Sequence, residues 1–79
     1  MDITDLITID SDVLSGQPVF KGSRVPIETL FDHLEQGVSL DDFLLDFPTV
    51  TRVQAIAAIE IATKLLTSKN FVKLYEAAA

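Results

Sequence analysis

Apolar positions in the middle of the chain recur at the spacing of one helical face, with intervals of three, one and three residues. They are Ile27, Leu30, Phe31 and Leu34. Pro26 precedes them and has a fixed φ that suits the first position of a helix. Gly37 follows them and can adopt the left-handed conformation that ends many helices. The pattern predicts a first helix over about residues 26–36.

A second, shorter helix is predicted by capping chemistry. Ser39 is followed three residues later by Asp42, which resembles a capping box in which Asp replaces the usual Glu. Acidic residues in a first turn also favour the positive end of the helix dipole. Pro48 cannot continue a helix, so the second helix is expected over about residues 40–46.

A third helix is predicted to open at a second capping box, formed by Thr51 and Gln54, and to continue to about Ser68. Asn70 is expected to break or kink it. Residues 71–79 then form a last helical turn or two at the C-terminus.

The N-terminal third has a different pattern, which predicts β structure. Residues 7–9 alternate between β-branched apolar and polar side chains, as in a short strand. Residues 19–25 resemble two strands joined by a glycine-bearing turn, and a turn with Gly16 at a positive φ precedes them. A β-ribbon is therefore expected over residues 7–25. It either covers one side of the helical core or serves recognition and exchange between two chains.

Length and composition favour one domain over residues 1–79, with the ribbon at 7–25, a helical core at 26–68 and a C-terminal tail at 69–79. A single core in a chain of 79 residues supplies only a few kcal/mol, and with no cysteine there is no disulfide to add to it. The chain is 48% apolar, with a mean hydropathy of +0.35 and a net charge of −6. Part of the apolar surface is therefore expected to meet another chain, which predicts a homodimer.

Two short helices followed by a longer one have the length pattern of a helix-turn-helix. The third helix is apolar on nearly all faces, so it is either buried all round or paired with a second chain. Core packing plus dimer contact is favoured over direct base readout by Arg52 or Gln54. The predicted dimer interface comprises Val53, Ile56, Ile59 and Leu65. Exchange of the ribbon is the alternative route to a dimer.

No catalytic, metal or cofactor site is predicted. The acidic residues lack the spacing of a metal cage, and His33 has no second histidine or cysteine with which to bind zinc. There is no phosphate-binding loop, dinucleotide fingerprint or catalytic triad, so a noncatalytic protein is expected. The longest apolar run is far shorter than the roughly 20 residues of a membrane span. The expectation is therefore a cytoplasmic protein with no membrane contact.

Four segments of the chain are similar to the bacterial and archaeal domain of unknown function 433 family. They are residues 7–10, 15–26, 43–48 and 51–56. The most specific part combines Gly16-x-Pro18 with Lys21-Gly-Ser-Arg24. Ser23 replaces the threonine usual in the family and keeps its hydroxyl. The resemblance extends over about residues 7–66.

The resemblance implies a homeodomain-like helix-turn-helix, a bundle of three to four helices with a short N-terminal β-ribbon, and dimeric assembly. Family genes often adjoin those of small PIN-like nuclease-type proteins, which implies an antitoxin of a toxin-antitoxin module. The leading hypothesis is a noncatalytic antitoxin-like protein that binds a PIN-like toxin and helps to repress its own operon by binding operator DNA. The alternatives are a stand-alone dimeric helix-turn-helix DNA-binding regulator and a structural dimerisation module. The predicted DNA- or partner-binding residues are Lys21, Ser23, Arg24, Arg52 and Gln54.

Overall fold

A computed structural model describes all 79 residues and shows a mainly helical protein with a two-stranded ribbon near the N-terminus. The helices are α1 (Ile3–Leu6), α2 (Ile27–Glu35), α3 (Leu40–Asp46), α4 (Arg52–Leu66) and α5 (Lys69–Ala78). The strands are β1 (Ile7–Thr8) and β2 (Val19–Phe20), and a 3-10 turn spans Leu14–Gly16. The predicted small helical bundle with a short β-ribbon is confirmed.

The ribbon is antiparallel and places Ile7 of β1 opposite Phe20 of β2. After β2 the chain reverses, and the Phe20 N–H donates to the Val25 carbonyl over 2.9 Å. Gly22 lies in this reversal with φ +80°, a conformation that glycine adopts without the steric cost of a side chain. Gly16 has φ +83°, as predicted. The glycines therefore shape two tight changes of direction.

The hydrophobic core combines the ribbon with the first four helices. Its buried members are Leu6, Phe20, Leu30, Phe43, Val50, Ala55 and Ala58. Phe20 and Phe43 are the largest of the fully buried side chains, and α4 contributes two small ones, Ala55 and Ala58. α5 contributes no buried residue. The ribbon is thus part of the core, as one of its two predicted roles required.

The capping box predicted at the start of α4 is confirmed, whereas at α3 only the serine half of the predicted box is present. The Asp42 N–H donates to the Ser39 hydroxyl oxygen over 3.1 Å. At α4 the capping box is complete, because the Gln54 N–H donates to the Thr51 hydroxyl while the Gln54 side-chain oxygen accepts from the Thr51 N–H. Each bond satisfies a backbone group that has no partner within its own helix. Local side chains therefore define where both helices begin.

An aromatic cluster packs α2 against α3. The rings of Phe43 and Phe47 lie 4.9 Å apart between centroids, and the half-buried His33 ring meets both of them edge-on. The Nδ1 atom of His33 is 2.7 Å from the Thr29 carbonyl oxygen. Since a carbonyl oxygen only accepts, Nδ1 is the donor of this bond. His33 therefore lies at the rim of the core.

The boundaries of α2 and α4 differ slightly from prediction. Pro26 is not the first helical residue but the residue before it, with an extended ψ of 143°. The reason is that Pro26 bridges Val19 of β2, so its backbone follows the ribbon and not the helix. α4 ends at Leu66, short of the predicted Ser68.

The prediction for the C-terminus was wrong in one respect. Asn70 does not break a helix but lies in the first turn of α5, which has ten residues. The break falls earlier because Ser68 begins the new helix, with its hydroxyl oxygen accepting from the Phe71 N–H over 3.2 Å. A serine whose side chain caps the next helix ends the preceding one more effectively than asparagine inside a helix does.

Candidate partner-binding surface

Two of the predicted site residues meet through a contact between distant parts of the sequence. The Gln54 side-chain N–H donates to the backbone carbonyl of Lys21 over 2.9 Å, and the same amide's oxygen closes the α4 capping box. Gln54 therefore joins the reversal after β2 to the first turn of α4. Its side chain is half-buried and is engaged at both ends.

Ser23 shapes this reversal with its hydroxyl group. The hydroxyl donates to the Phe20 carbonyl over 2.8 Å and accepts from the Val25 N–H over 3.0 Å. Such a side-chain bond to nearby backbone groups stabilises a turn. Ser23 therefore stabilises the conformation of the reversal between Phe20 and Val25.

Arg52 joins α4 to α3. Its guanidinium forms an ion pair with Asp41, and both side chains are exposed. α3 and α4 are separated by only five residues, so this pair spans the turn between them. Exposed pairs of this kind contribute little stability. Direct readout of a DNA base needs a free guanidinium. The Arg52 guanidinium is instead paired with Asp41.

Lys21 and Arg24 are the exposed cations of the reversal. The Lys21 ammonium donates to the Thr4 carbonyl of α1 over 3.3 Å, a long bond at the surface. The Arg24 guanidinium has neither a hydrogen bond nor an ion pair within the chain. Lys21, Ser23 and Arg24 thus lie in the reversal that Gln54 contacts, Arg52 is paired with Asp41 two positions before Gln54 on α4, and Arg24 is the unengaged donor. The ribbon-turn surface denotes Lys21, Arg24, Arg52 and Gln54 together with Asp41.

Acidic side chains dominate the surroundings. All twelve carboxylate side chains are exposed, and Asp41 is the one that forms an ion pair. Asp42 and Asp46 lie four residues apart on one face of α3, and Asp42 is the sequence neighbour of Asp41, a member of the ribbon-turn surface. The surface therefore presents a few cations within a predominantly negative field.

The four predicted dimer residues do not form one face of α4. Val53 and Ile56 are exposed near its start, whereas Ile59 is half-buried and packs against the core. Leu65 is nine residues beyond Ile56, and at 3.6 residues per turn that places it roughly 180° around the helix. A flat contact surface can therefore include either Val53 and Ile56 or Leu65, but not all three.

Sequence reasoning missed an apolar groove beside α4. Its volume is about 250 Å³, and Ile7, Ile27, Phe31, Ile61, Ala62 and Leu65 line it. Helical spacing along α2 and α4 places the lining residues on facing sides, but their proximity depends on the tertiary fold. It also missed the apolar face of α5, formed by residues 71, 74, 75 and 78. That spacing is helical, and together with the Ser68 hydroxyl it is the signal that predicts α5.

No group of three or more His, Asp or Glu side chains is arranged to hold a metal ion. None of the five helices combines the length and the apolar character needed to cross a bilayer.

No curated protein and no solved structure matches the chain. The sequence model of the family described as "Protein of unknown function (DUF433)" matches residues 7–62. This range includes the ribbon, α2, α3 and most of α4, and thus the whole ribbon-turn surface. Because the match extends over more than half of the chain, the protein belongs to the DUF433 family.

Proposed function

We propose that this chain is a noncatalytic, cytoplasmic antitoxin-like protein that binds a PIN-like toxin and represses its own operon. The observation that carries the proposal is the set of twelve exposed carboxylates, eleven of which have no ion-pair partner. A nuclease-type toxin must present cations or a metal to its nucleic-acid substrate. An acidic protein is attracted to such a surface and can cover it.

The ribbon-turn surface supplies specificity within this field. Gln54 and Ser23 hold the reversal through bonds to Lys21 and Phe20, so the backbone there is shaped before a partner arrives. A preorganised surface loses less conformational freedom on binding. Arg24 projects from it without an internal partner and is available to an acceptor on the toxin.

Operator binding is proposed to use the same cations. Arg24 and Lys21 reach phosphates more readily than Arg52, whose guanidinium pairs with Asp41. With so few cations among twelve carboxylates, affinity for DNA is expected to be weak and to fall steeply with salt. Titration of fluorescent upstream DNA at two salt concentrations measures this. A flat titration with the wild-type chain removes the operator role.

The decisive experiment uses the product of the neighbouring gene if that gene encodes a small PIN-like protein. The two chains are co-expressed, purified by a tag on one of them, and assayed for growth and for cleavage of RNA. Binding with loss of toxicity supports the proposal. Absence of binding, or undiminished toxicity, refutes it.

A charge variant tests the role of the acidic field. Asp42→Asn with Asp46→Asn removes two charges beside the ribbon-turn surface, while Asp10→Asn with Asp12→Asn removes two elsewhere. Asn at position 10 keeps the oxygen that accepts from the Asp12 N–H. We expect the first pair to slow association with the toxin several-fold at low salt and the second to have less effect, since screening shortens the range of the field. Equal effects would mean that only net charge matters.

A further inference from the structure

The C-terminal helix α5 exposes an apolar face that nothing in the chain covers. Phe71, Leu74 and Tyr75 lie on this face, with exposures of 40%, 65% and 68%. Isolated helices of ten residues are unstable in water, because most helical stability in proteins comes from packing of such a face. α5 therefore needs a surface to pack against.

The apolar groove beside α4 is a surface of matching chemistry. Phe31 and Ile61 line it, and Leu65 at its end is itself 65% exposed. The groove and the face of α5 thus both lie open on the same chain. Two copies that exchange α5 satisfy both surfaces at once, in the self-complementary arrangement of a two-fold symmetric dimer.

The junction between α4 and α5 keeps α5 away from its own groove. Only Thr67 and Ser68 separate the two helices, and both hydroxyls are bonded back to α4, to the carbonyls of Thr63 and Leu65. Ser68 also caps α5. Folding α5 back along its own α4 would break these bonds. A short connection of this kind favours exchange between copies.

The dimensions of the chain agree with a missing partner. A compact monomer of this mass exposes about 4,700 Å², whereas this chain exposes 5639 Å². The difference of roughly 900 Å² is close to the ~800 Å² that each partner buries in a standard interface. The radius of gyration is 14.1 Å, against about 12 Å for a compact chain of this length.

The charges of the two parts are also complementary. Residues 1–68 carry eleven carboxylates and four cations, a net charge of −7, whereas residues 69–79, which include α5, carry two lysines and one glutamate, a net charge of +1. Exchange brings the cationic α5 of one copy onto the acidic body of the other. The attraction opposes the repulsion expected between two acidic chains.

We infer that a second copy of this chain occupies the groove, with α5 of each copy packed between α2 and α4 of the other. This dimer uses the Leu65 end of α4 and leaves the ribbon-turn surface of both copies exposed. It differs from a dimer formed through Val53 and Ile56. The inference does not rest on toxin or operator binding, and its test needs neither partner.

Sedimentation of the full-length chain over a concentration series tests the inference. The wild-type chain is expected to dimerise. Leu74→Glu should raise the dimer dissociation constant roughly a hundredfold, because the substitution acts at both symmetric contacts. Two controls place the same charge elsewhere: Leu45→Glu, at an α3 position that is 78% exposed, and Val53→Glu. Neither should change the dissociation constant, and circular dichroism checks that each variant is folded.

Cross-linking distinguishes exchange from closure within one chain. Since the chain has no cysteine, Ala62→Cys and Leu74→Cys can be introduced together without interference. Oxidation should give a covalent dimer on a non-reducing gel. A monomeric wild-type chain, a dimer that survives Leu74→Glu, or a disulfide formed within one chain would each overturn the inference.

Discussion

Replacement of Gln54 by alanine should lower the free energy of unfolding more than is usual for a substitution at a half-buried position. The substitution removes the bond from the Gln54 amide to the Lys21 carbonyl and the bond from the Thr51 N–H to the amide oxygen. A net contribution of about 1 kcal/mol is typical of each bond. Alanine's higher helix propensity offsets a few tenths of this. We expect a loss of about 1.5 kcal/mol, equivalent to a melting temperature lower by about 6–12 °C.

Urea unfolding followed by far-ultraviolet circular dichroism measures this loss, with all variants at one protein concentration because dimerisation adds to apparent stability. Gln36→Ala is the matched control, since Gln36 is exposed and its side chain makes no hydrogen bond within the chain. Gln54→Glu separates the two bonds: it keeps an oxygen for the Thr51 N–H but has no donor for the Lys21 carbonyl. An unchanged midpoint for Gln54→Ala would refute the idea that Gln54 fastens the reversal to α4.

Two further substitutions test the core and the reversal. Phe43→Ala removes a fully buried ring that contacts Phe47 and should lower the free energy of unfolding by about 3–5 kcal/mol. In a urea titration, much of this variant should already be unfolded before urea is added. Gly22→Ala places a side chain at φ +80°, where the added carbon meets nothing within 4 Å, so only the backbone cost of about 1 kcal/mol applies. Gly22→Asn should lose less, because asparagine tolerates this conformation better, and equal losses for both would contradict the conformational explanation.

Sequence patterns predict where a helix begins when a capping side chain within a few residues determines its start. Ser39 and Thr51 cap the helices that follow them, and both interact with residues three positions ahead. Such signals lie within a few residues and can be read directly. The start of α5 carries the same signal at Ser68, and this cap outweighs the low helix propensity of Asn70. Propensity is the weaker determinant of the two.

The residues of the candidate surface can be proposed from the sequence, but their contacts cannot. Lys21, Arg24, Arg52 and Gln54 stand out in the sequence as polar residues in an otherwise acidic or apolar context, and the fold joins two of them, Gln54 and Lys21. The bond between Gln54 and Lys21 joins residues 33 positions apart, and the pairing of Arg52 with Asp41 depends on how α3 approaches α4. Contacts of this kind follow from tertiary packing, and no local pattern contains them.

The aromatic cluster between α2 and α3 has a consequence for spectroscopy. His33 is the single histidine of the chain, and its ring lies edge-on to Phe43 and Phe47 with one nitrogen bound to Thr29. Circulating electrons in the two phenyl rings displace the resonances of the imidazole protons from their positions in an unfolded chain. Those resonances come from one residue and need no isotope label. His33 thus provides a natural magnetic probe of whether α2 and α3 remain packed when a partner binds or a core residue is replaced.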